Sequence, residues 1–244
     1  MGSSAGMSAL ITGANKGIGL EIARQLGQAG LRIIIAARDA ERGAKAAQDL
    51  EDEGIAARHV HIDLTDPASA KQAAENIRGR EGALKILVNN AGIVDPQDGS
   101  QEQAELDAVR RIFETNFFGT LAVTQAMLPL LKKASPARIV NLSSGLGSLT
   151  FNGDPDWEYA GYKLIGYSAS KAAVNMLTVQ LAAALKDAGI RVNAADPGFT
   201  ATDLNGHRGQ QTIPQGAAEA VRLALSEDDG ETGGFFATDG RVPW

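Results

Sequence analysis

Short apolar runs recur along this chain, each followed by a stretch that suits a helix, and that alternation limits the fold more than any other feature. The runs are SALIT (8–12), LRIIIAA (31–37), residues 57–62, KILVNN (85–90), ARIVNLS (137–143) and IRVNAAD (190–196). LRIIIAA is a continuous β-branched run, as expected of a parallel strand covered on both faces rather than one with a wet side. Between the runs, helices are expected from Gly17 to about Gln28, closed near Gly30, and from an Asp39 cap to Gly54. Further helices are expected around 104–133 and over 167–187, the second stopping at Gly189, with GGFF (233–236) as a last strand. Strand–helix alternation over the whole length implies an α/β fold: a doubly wound, Rossmann-type parallel sheet with helices on both faces. Residues 93–103 and 204–214 read as polar loops, and 145–166 as a longer irregular stretch. No repeat or linker divides the chain, so residues 7–244 are expected to form a single domain, with MGSSAG (1–6) a probable expression leader without signal-peptide character. In such sheets ligands bind at the carboxyl ends of the strands, where the loops after 12, 37, 62, 90, 143 and 196 converge.

Composition removes several classes of function. The 244 residues carry a formal charge of −6 and a pI near 5.1, against nucleic acid or an anionic membrane as partner. No cysteine is present, which excludes thiol catalysis, disulfides and zinc–thiolate sites. His59 and His61 share a strand face and His207 lies in a loop, with no ligand-spaced cluster around them, so no metal is expected. No apolar run approaches the roughly 20 residues of a membrane span, and a cytoplasmic protein is the expectation.

TGANKGIG (12–19) joins the first strand to the first helix. Gly13 permits a tight turn, Gly17 lets backbone approach a phosphate, and Gly19 lets helix and strand pack closely; Asn15 and Ile18 complete the loop. A helix amino terminus behind it would face a pyrophosphate with free N–H groups and a positive dipole. An NAD site usually offers a carboxylate at the end of the second strand. Here Ala37 stands there, followed by Arg38, while Lys16 lies in the glycine loop. Two cations and no strand-end acid suit the 2′-phosphate of NADP, Arg38 as a planar fork and Lys16 as a point charge. Each alone also reads as a solvated side chain, and Asp39 is near enough to pair with one of them.

The chemistry centres on YAGYKLIGYSASK (159–171), where a tyrosine precedes a lysine by four residues twice: Tyr159 with Lys163, and Tyr167 with Lys171. One helical turn places such a pair on one face. In order along the chain, TGANKGIG, DLTD (63–66), NNAG (89–92), the asparagine of ETNFFG (Asn116), NLSS (141–144), YSASK (167–171) and DPGFTAT (196–202) resemble the short-chain dehydrogenases/reductases. The second-strand segment and the ending TGGFFATDGRVPW are most similar to the carbonyl-reductase-like members.

The resemblance implies an enzyme that reduces an aldehyde or ketone with NADPH. In it Tyr167 is the proton donor, Lys171 its electrostatic partner and ribose anchor, Ser144 the carbonyl orienter, and Asn116 a support that orders a water. It further implies that Asp63 and Leu64 border adenine and that Asn90, Ala91 and Gly92 pass beneath the cofactor. Pro197, Gly198 and Phe199 would line it, with Thr202 on its amide or pyrophosphate. Ser143 is a possible substitute for Ser144, and Asn116 alone could equally face solvent. NAD-dependent oxidation of a secondary alcohol is the nearest alternative, and a non-catalytic nucleotide-binding sensor or scaffold the alternative of another class. The small-molecule substrate is not readable, and the chain is expected to be a monomer or homodimer.

Between the tyrosines, the spacing usual in the resembled family favours Tyr159, 15 residues after Ser144, whereas Tyr167 lies 23 residues on. Rigidity favours Tyr167. Tyr159 is surrounded by Pro155, Gly161 and Gly166, and Tyr167 opens a long run of helix formers with Met176, Leu177, Leu181, Ala184 and Leu185 as its expected apolar stripe. Residues 151–166 are then an insertion whose aromatics Phe151, Trp157, Tyr159 and Tyr162 form either a flap lining the substrate pocket with Phe199 and Leu146, or a surface loop.

Overall fold

The computed structural model describes residues 7–226 and 230–244; the expected leader, 1–6, lies outside them. Its single sheet has the order β3-β2-β1-β4-β5-β6-β7-β8, built from β1 (Ser8–Thr12), β2 (Arg32–Ala37), β3 (Ala57–His61), β4 (Ile86–Asn89), β5 (Ala137–Leu142), β6 (Ile190–Ala195), β7 (Phe235–Ala237) and β8 (Gly240–Arg241). Neighbours from β3 through β7 pair parallel and β8 returns antiparallel, a short hairpin not foreseen in the sequence. The strand order reverses between β1 and β4, where such sheets open a crevice for ligand.

The two faces are visible inside LRIIIAA. Ile33 and Ile35 enter the core with Ile22, Leu26 and Leu50 of α1 (Gly17–Gln28) and α2 (Ala40–Asp52), and with Ala217, Ala220 and Leu223 of α8 (Ile213–Ala224). Ile34 points the other way, into the core with Ile77 of α3 (Pro67–Arg80), Leu130 of α5 (Thr120–Lys133) and Ala182 of α7 (Ile165–Leu185). Successive residues bury on opposite faces, so the run needs no polar alternation.

The expected helix over 104–133 is α4 (Leu106–Phe113) running into α5 through one wide turn of π-helix, Glu114–Gly119, with Asn116 inside it. A short helix α6 (Leu149–Gly153) opens the insertion. Two sequence expectations are corrected. The stretch 204–214 is not all loop: α8 starts at Ile213 behind a reciprocal cap between Thr212 and Gln215. The stripe expected on α7 is also misassigned. Leu177 and Leu185 are buried and Leu181 partly so, but Met176 is 59% exposed and Ala184 is exposed, their places inside being taken by Val174, Thr178 and Ala182. The sheet accepts small and hydroxylic residues from this helix, which an apolar count cannot foresee.

Candidate active site

At the nucleotide end, Gly13 (φ +64°) and Gly17 (φ +58°) adopt left-handed backbone that only glycine takes without strain. The Gly13 N–H donates to the Ala36 carbonyl (2.8 Å), folding the loop over the end of β2. A Cβ on Gly19 would lie 2.8 Å from the Gly13 carbonyl, so helix and turn touch backbone to backbone. Helix α1 has no side-chain cap and no acid in its first turn. An anionic phosphate fits such a terminus, and Lys16, Asn15 and Ile18 border it. Below, Thr12 Oγ1 accepts the Asn90 and Ala91 N–H groups (3.0 and 3.1 Å) and Asn90 Nδ2 donates to the Thr12 carbonyl (2.8 Å), which pins the exit of β4 under the glycine loop.

The cations are disposed unequally. Arg38 is exposed just past β2. Asp39 does not neutralise it: its carboxylate caps α2 at the Arg42 N–H (3.0 Å) and lies 3.4 Å from the Arg42 side chain. Lys16 instead pairs with Asp203 (2.5 Å), whose other oxygen meets His207 (2.8 Å). Burial works to raise the Asp63 carboxyl, but bonds from Thr65 and the charges of Arg38 and His61 outweigh it and hold it below the usual range. Leu64 packs against Gly119 of the wide turn.

At the chemical end, β5 and α7 meet. Tyr167 is buried with its hydroxyl near enough to Ser144 to be influenced by it, and Ser144 Oγ accepts the Leu146 N–H (3.2 Å). Lys171 Nζ stands 5.6 Å from the Tyr167 ring centroid and donates to the Leu142 carbonyl (2.8 Å). Burial, assisted by the charge of Asp196 and opposed by the nearby Ser144 hydroxyl, pushes the tyrosine up to about 12. Burial pushes the lysine down to about 8. At neutral pH the pair is therefore a protonated phenol beside a weakly held ammonium.

The competing assignments separate on geometry. Tyr159 lies in a turn and Lys163 in the irregular segment before α7, not on one helix face, and Lys163 is exposed. Ser143 is buried and donates to Asn175 Oδ1 (2.6 Å), leaving Ser144 at the site. Asn116 is buried, not solvated, but its amide is already engaged: Oδ1 accepts the Ile93 N–H (2.8 Å), and Nδ2 donates to the Ile93 carbonyl and to Ser170 Oγ (both 3.0 Å). A Cβ on Gly92 would lie 3.3 Å from Asn116 Oδ1 and 3.4 Å from Lys171 Nζ, so all three meet at the exit of β4.

The insertion forms a continuous aromatic chain: Phe151 stacks on Trp157 (5.1 Å), Trp157 meets Tyr159 edge-on (5.5 Å), and Tyr159 and Tyr162 both reach Phe199 (5.9 and 6.0 Å). Trp157 and Phe151 lean on Gly145, next to Ser144. Pro197, Gly198 and Thr202 follow β6 on the same rim. Among the described residues no cluster of three or more His, Cys, Asp or Glu is disposed to hold a metal; His59 is hydrogen-bonded to the Ala37 carbonyl (3.1 Å).

Sequence reasoning missed two acids. Asp98, in the loop after β4, accepts the Gly166 and Tyr167 N–H groups at its two oxygens (both 2.9 Å), capping α7 from 68 residues away. No local motif announces such a cap. Asp196 stood inside DPGFTAT, yet its carboxyl group comes to lie beside the tyrosine and lysine. The reason to notice it was an acid at the carboxyl end of a buried strand.

Comparison with known proteins agrees with this arrangement. The family model for short chain dehydrogenases matches residues 7–212. The chain is 37% identical to the short-chain dehydrogenase anuI of Penicillium roqueforti (strain FM164), over 94% of this chain and 93% of that protein. Among solved structures it resembles salutaridine reductase from Papaver somniferum (TM-score 0.82, 28% identity, 95% of this chain and 99% of that one). It also resembles a gluconate 5-dehydrogenase from Burkholderia cenocepacia J2315, solved with NADP and tartrate (TM-score 0.84, 31% identity, 97% and 94%). With its glycine loop, parallel sheet and serine–tyrosine–lysine grouping, this chain belongs to the short-chain dehydrogenase/reductase family and is an oxidoreductase of carbonyl and alcohol groups.

Proposed function

We propose that the protein reduces an aldehyde or ketone to an alcohol using NADPH. The observation that carries this reading is the buried Tyr167 with Ser144 near its hydroxyl and Lys171, one helical turn on, 5.6 Å from its ring. Bound NADPH supplies the hydride. The Ser144 hydroxyl then orients the carbonyl oxygen by donating a hydrogen bond. Tyr167, kept protonated by burial, gives its phenolic proton to that oxygen as negative charge gathers there. The Lys171 ammonium stabilises the phenolate left behind. Asn116 holds the Ile93 backbone and Ser170, and so keeps the exit of β4 against α7. Preference for NADPH over NADH is supported by the exposed Arg38, the absence of an acid at the end of β2 and the turning of Asp39 toward Arg42. The NADP bound to the related gluconate 5-dehydrogenase points the same way. Lys16 joins Arg38 at the 2′-phosphate only by leaving Asp203.

The test is consumption of NADPH and NADH with a panel of aldehydes, aryl ketones and diketones. Turnover is expected with NADPH, lost by about 10²–10⁴-fold in Tyr167→Phe and retained in Tyr159→Phe. Arg38→Ala is expected to raise KM for NADPH and leave KM for NADH alone. A wild type that binds NADPH tightly and reduces nothing would overturn the reading in favour of a sensor, and loss only in Tyr159→Phe would move the acid to the insertion.

A further inference from the structure

Asp196 has no part in the roles above, yet it sits where the two turns that frame the site meet. It follows β6, whose last residue pairs with Leu142 of β5, so it is level with the serines. Its N–H is taken by the Phe236 carbonyl (2.8 Å), which fixes the backbone, and its Oδ1 accepts the Gly198 N–H (2.9 Å). Its Oδ2 lies against Gly145: a Cβ there would come within 3.1 Å of that oxygen and 3.2 Å of Trp157 Cζ2. A side chain on the residue after Ser144 would push the carboxylate or the indole aside by a few tenths of an ångström. One carboxylate thus ties the turn that carries Ser144 to the turn after β6.

The ionisable groups around it come from every neighbouring element. Tyr167 and Lys171 face it from α7, Tyr159 from the insertion, and Asp239 from the turn between β7 and β8. Burial and Asp239 disfavour its charge, whereas the Gly198 and Gly145 N–H groups and the Lys171 ammonium favour it. Asparagine would keep the Gly198 bond but would turn a donor NH2 toward the Gly145 N–H, so two accepting oxygens suit the turn. An acid adds a charge, and the charge falls on Tyr167 and Lys171.

We propose that Asp196 is a positioning residue that acts through these two: its carboxylate fixes the Ser144 turn, and its charge favours the protonated tyrosine and lysine, so that the site gives a proton to a carbonyl oxygen more readily than it takes one from an alcohol. The overall equilibrium of the reaction is untouched; what moves is the pH range in which each direction runs. The proposal rests on Ser144, Tyr167 and Lys171 being the reacting set.

Two measurements test it. The chain holds three tyrosines, so in a Tyr159→Phe/Tyr162→Phe background the ultraviolet absorbance of tyrosinate reports Tyr167 alone. Asp196→Asn is expected to lower its midpoint by about one pH unit, the size of one nearby charge. An unchanged midpoint in a folded protein overturns the proposal. Separately, Asp196→Asn is expected to move the alkaline limb of carbonyl reduction and the onset of alcohol oxidation to lower pH together. A merely structural aspartate would lower both rates and shift neither limb, which also overturns it. Where the chain unfolds before Tyr167 titrates, the rate profiles decide. If no carbonyl is reduced at all, the reductase reading fails and the absorbance titration still judges Asp196.

Discussion

At the scale of single residues, the site combines a lysine and a tyrosine that burial drives in opposite directions. Lys171, pushed down to about 8, is protonated in both folded and unfolded chains at neutral pH, so the folded state carries the full cost of burying its charge there. Between about 8 and 10 the unfolded chain binds more protons at this lysine, and its cost to stability fades as pH rises. Lys171→Met is therefore expected to stabilise the cofactor-free protein at pH 7, by on the order of 1–3 kcal/mol, while abolishing turnover. The difference from wild type should shrink toward pH 10, and urea unfolding at the two pH values measures it. A destabilised variant would mean that the bond to the Leu142 carbonyl outweighs desolvation. Tyr167 does not confuse the window: raised to about 12, it reduces stability only above its ordinary value near 10, because the unfolded phenol ionises first. The tyrosine and lysine were legible in the sequence because one helical turn separates them. Asp196 was not, since its effect arises from a strand and a helix distant in the chain.

At the scale of elements, the precision of the site depends on how α7 begins. The helix starts at Ile165, two residues before the tyrosine, with no cap from its own N-terminal flank. Asp98 supplies one from the loop after β4, and the Gly99 carbonyl accepts the Ile165 N–H (2.8 Å). Asp98→Ala is expected to cost about 1–2 kcal/mol, the usual size of a lost cap. It should also lower kcat more than it raises KM for cofactor, since the first turn of α7 carries Tyr167. Denaturant unfolding and steady-state kinetics check the two parts, and an unchanged kcat would show that α7 is seated by packing alone. The wide turn around Asn116 follows the same logic. Its amide serves both backbone groups of Ile93, so Asn116→Leu should leave them bare inside the protein, at about 1–3 kcal/mol or more. Thermal unfolding measures that loss. The long helix itself was readable from its pattern, but its π turn was not, because it is shaped by what Asn116 meets across the sheet exit.

At the scale of the whole molecule, the sheet brings six loop ends to one edge, and ligand binding there should be felt throughout. A ligand that binds only the folded chain stabilises it by about 2.7 kcal/mol at a hundred times its Kd. For a chain of this size that is a rise in Tm of roughly 5–11 °C. NADPH is expected to produce it at lower concentration than NADH, and Arg38→Ala to erase the difference. Equal shifts by both cofactors in the wild type would argue that Arg38 is only a solvated cation. The Lys16–Asp203 pair enters here, because a 2′-phosphate must compete with Asp203 for that lysine. Asp203→Asn should then widen the gap between the cofactors.

The sequence by itself determined the alternation of strands and helices, the glycine turn, the acid-free end of β2 and the helix on which Tyr167 and Lys171 share a face. All of these depend on residues close together in the chain, through backbone freedom, period and propensity. The tertiary structure alone decided which serine is left at the site, where Lys16 sends its charge, which side of α7 is buried, and that Asp98 and Asp196 serve the same tyrosine. Those outcomes depend on desolvation and on hydrogen bonds between segments from 28 to 187 residues apart. No local pattern encodes them, because the partners become neighbours only when the sheet has formed.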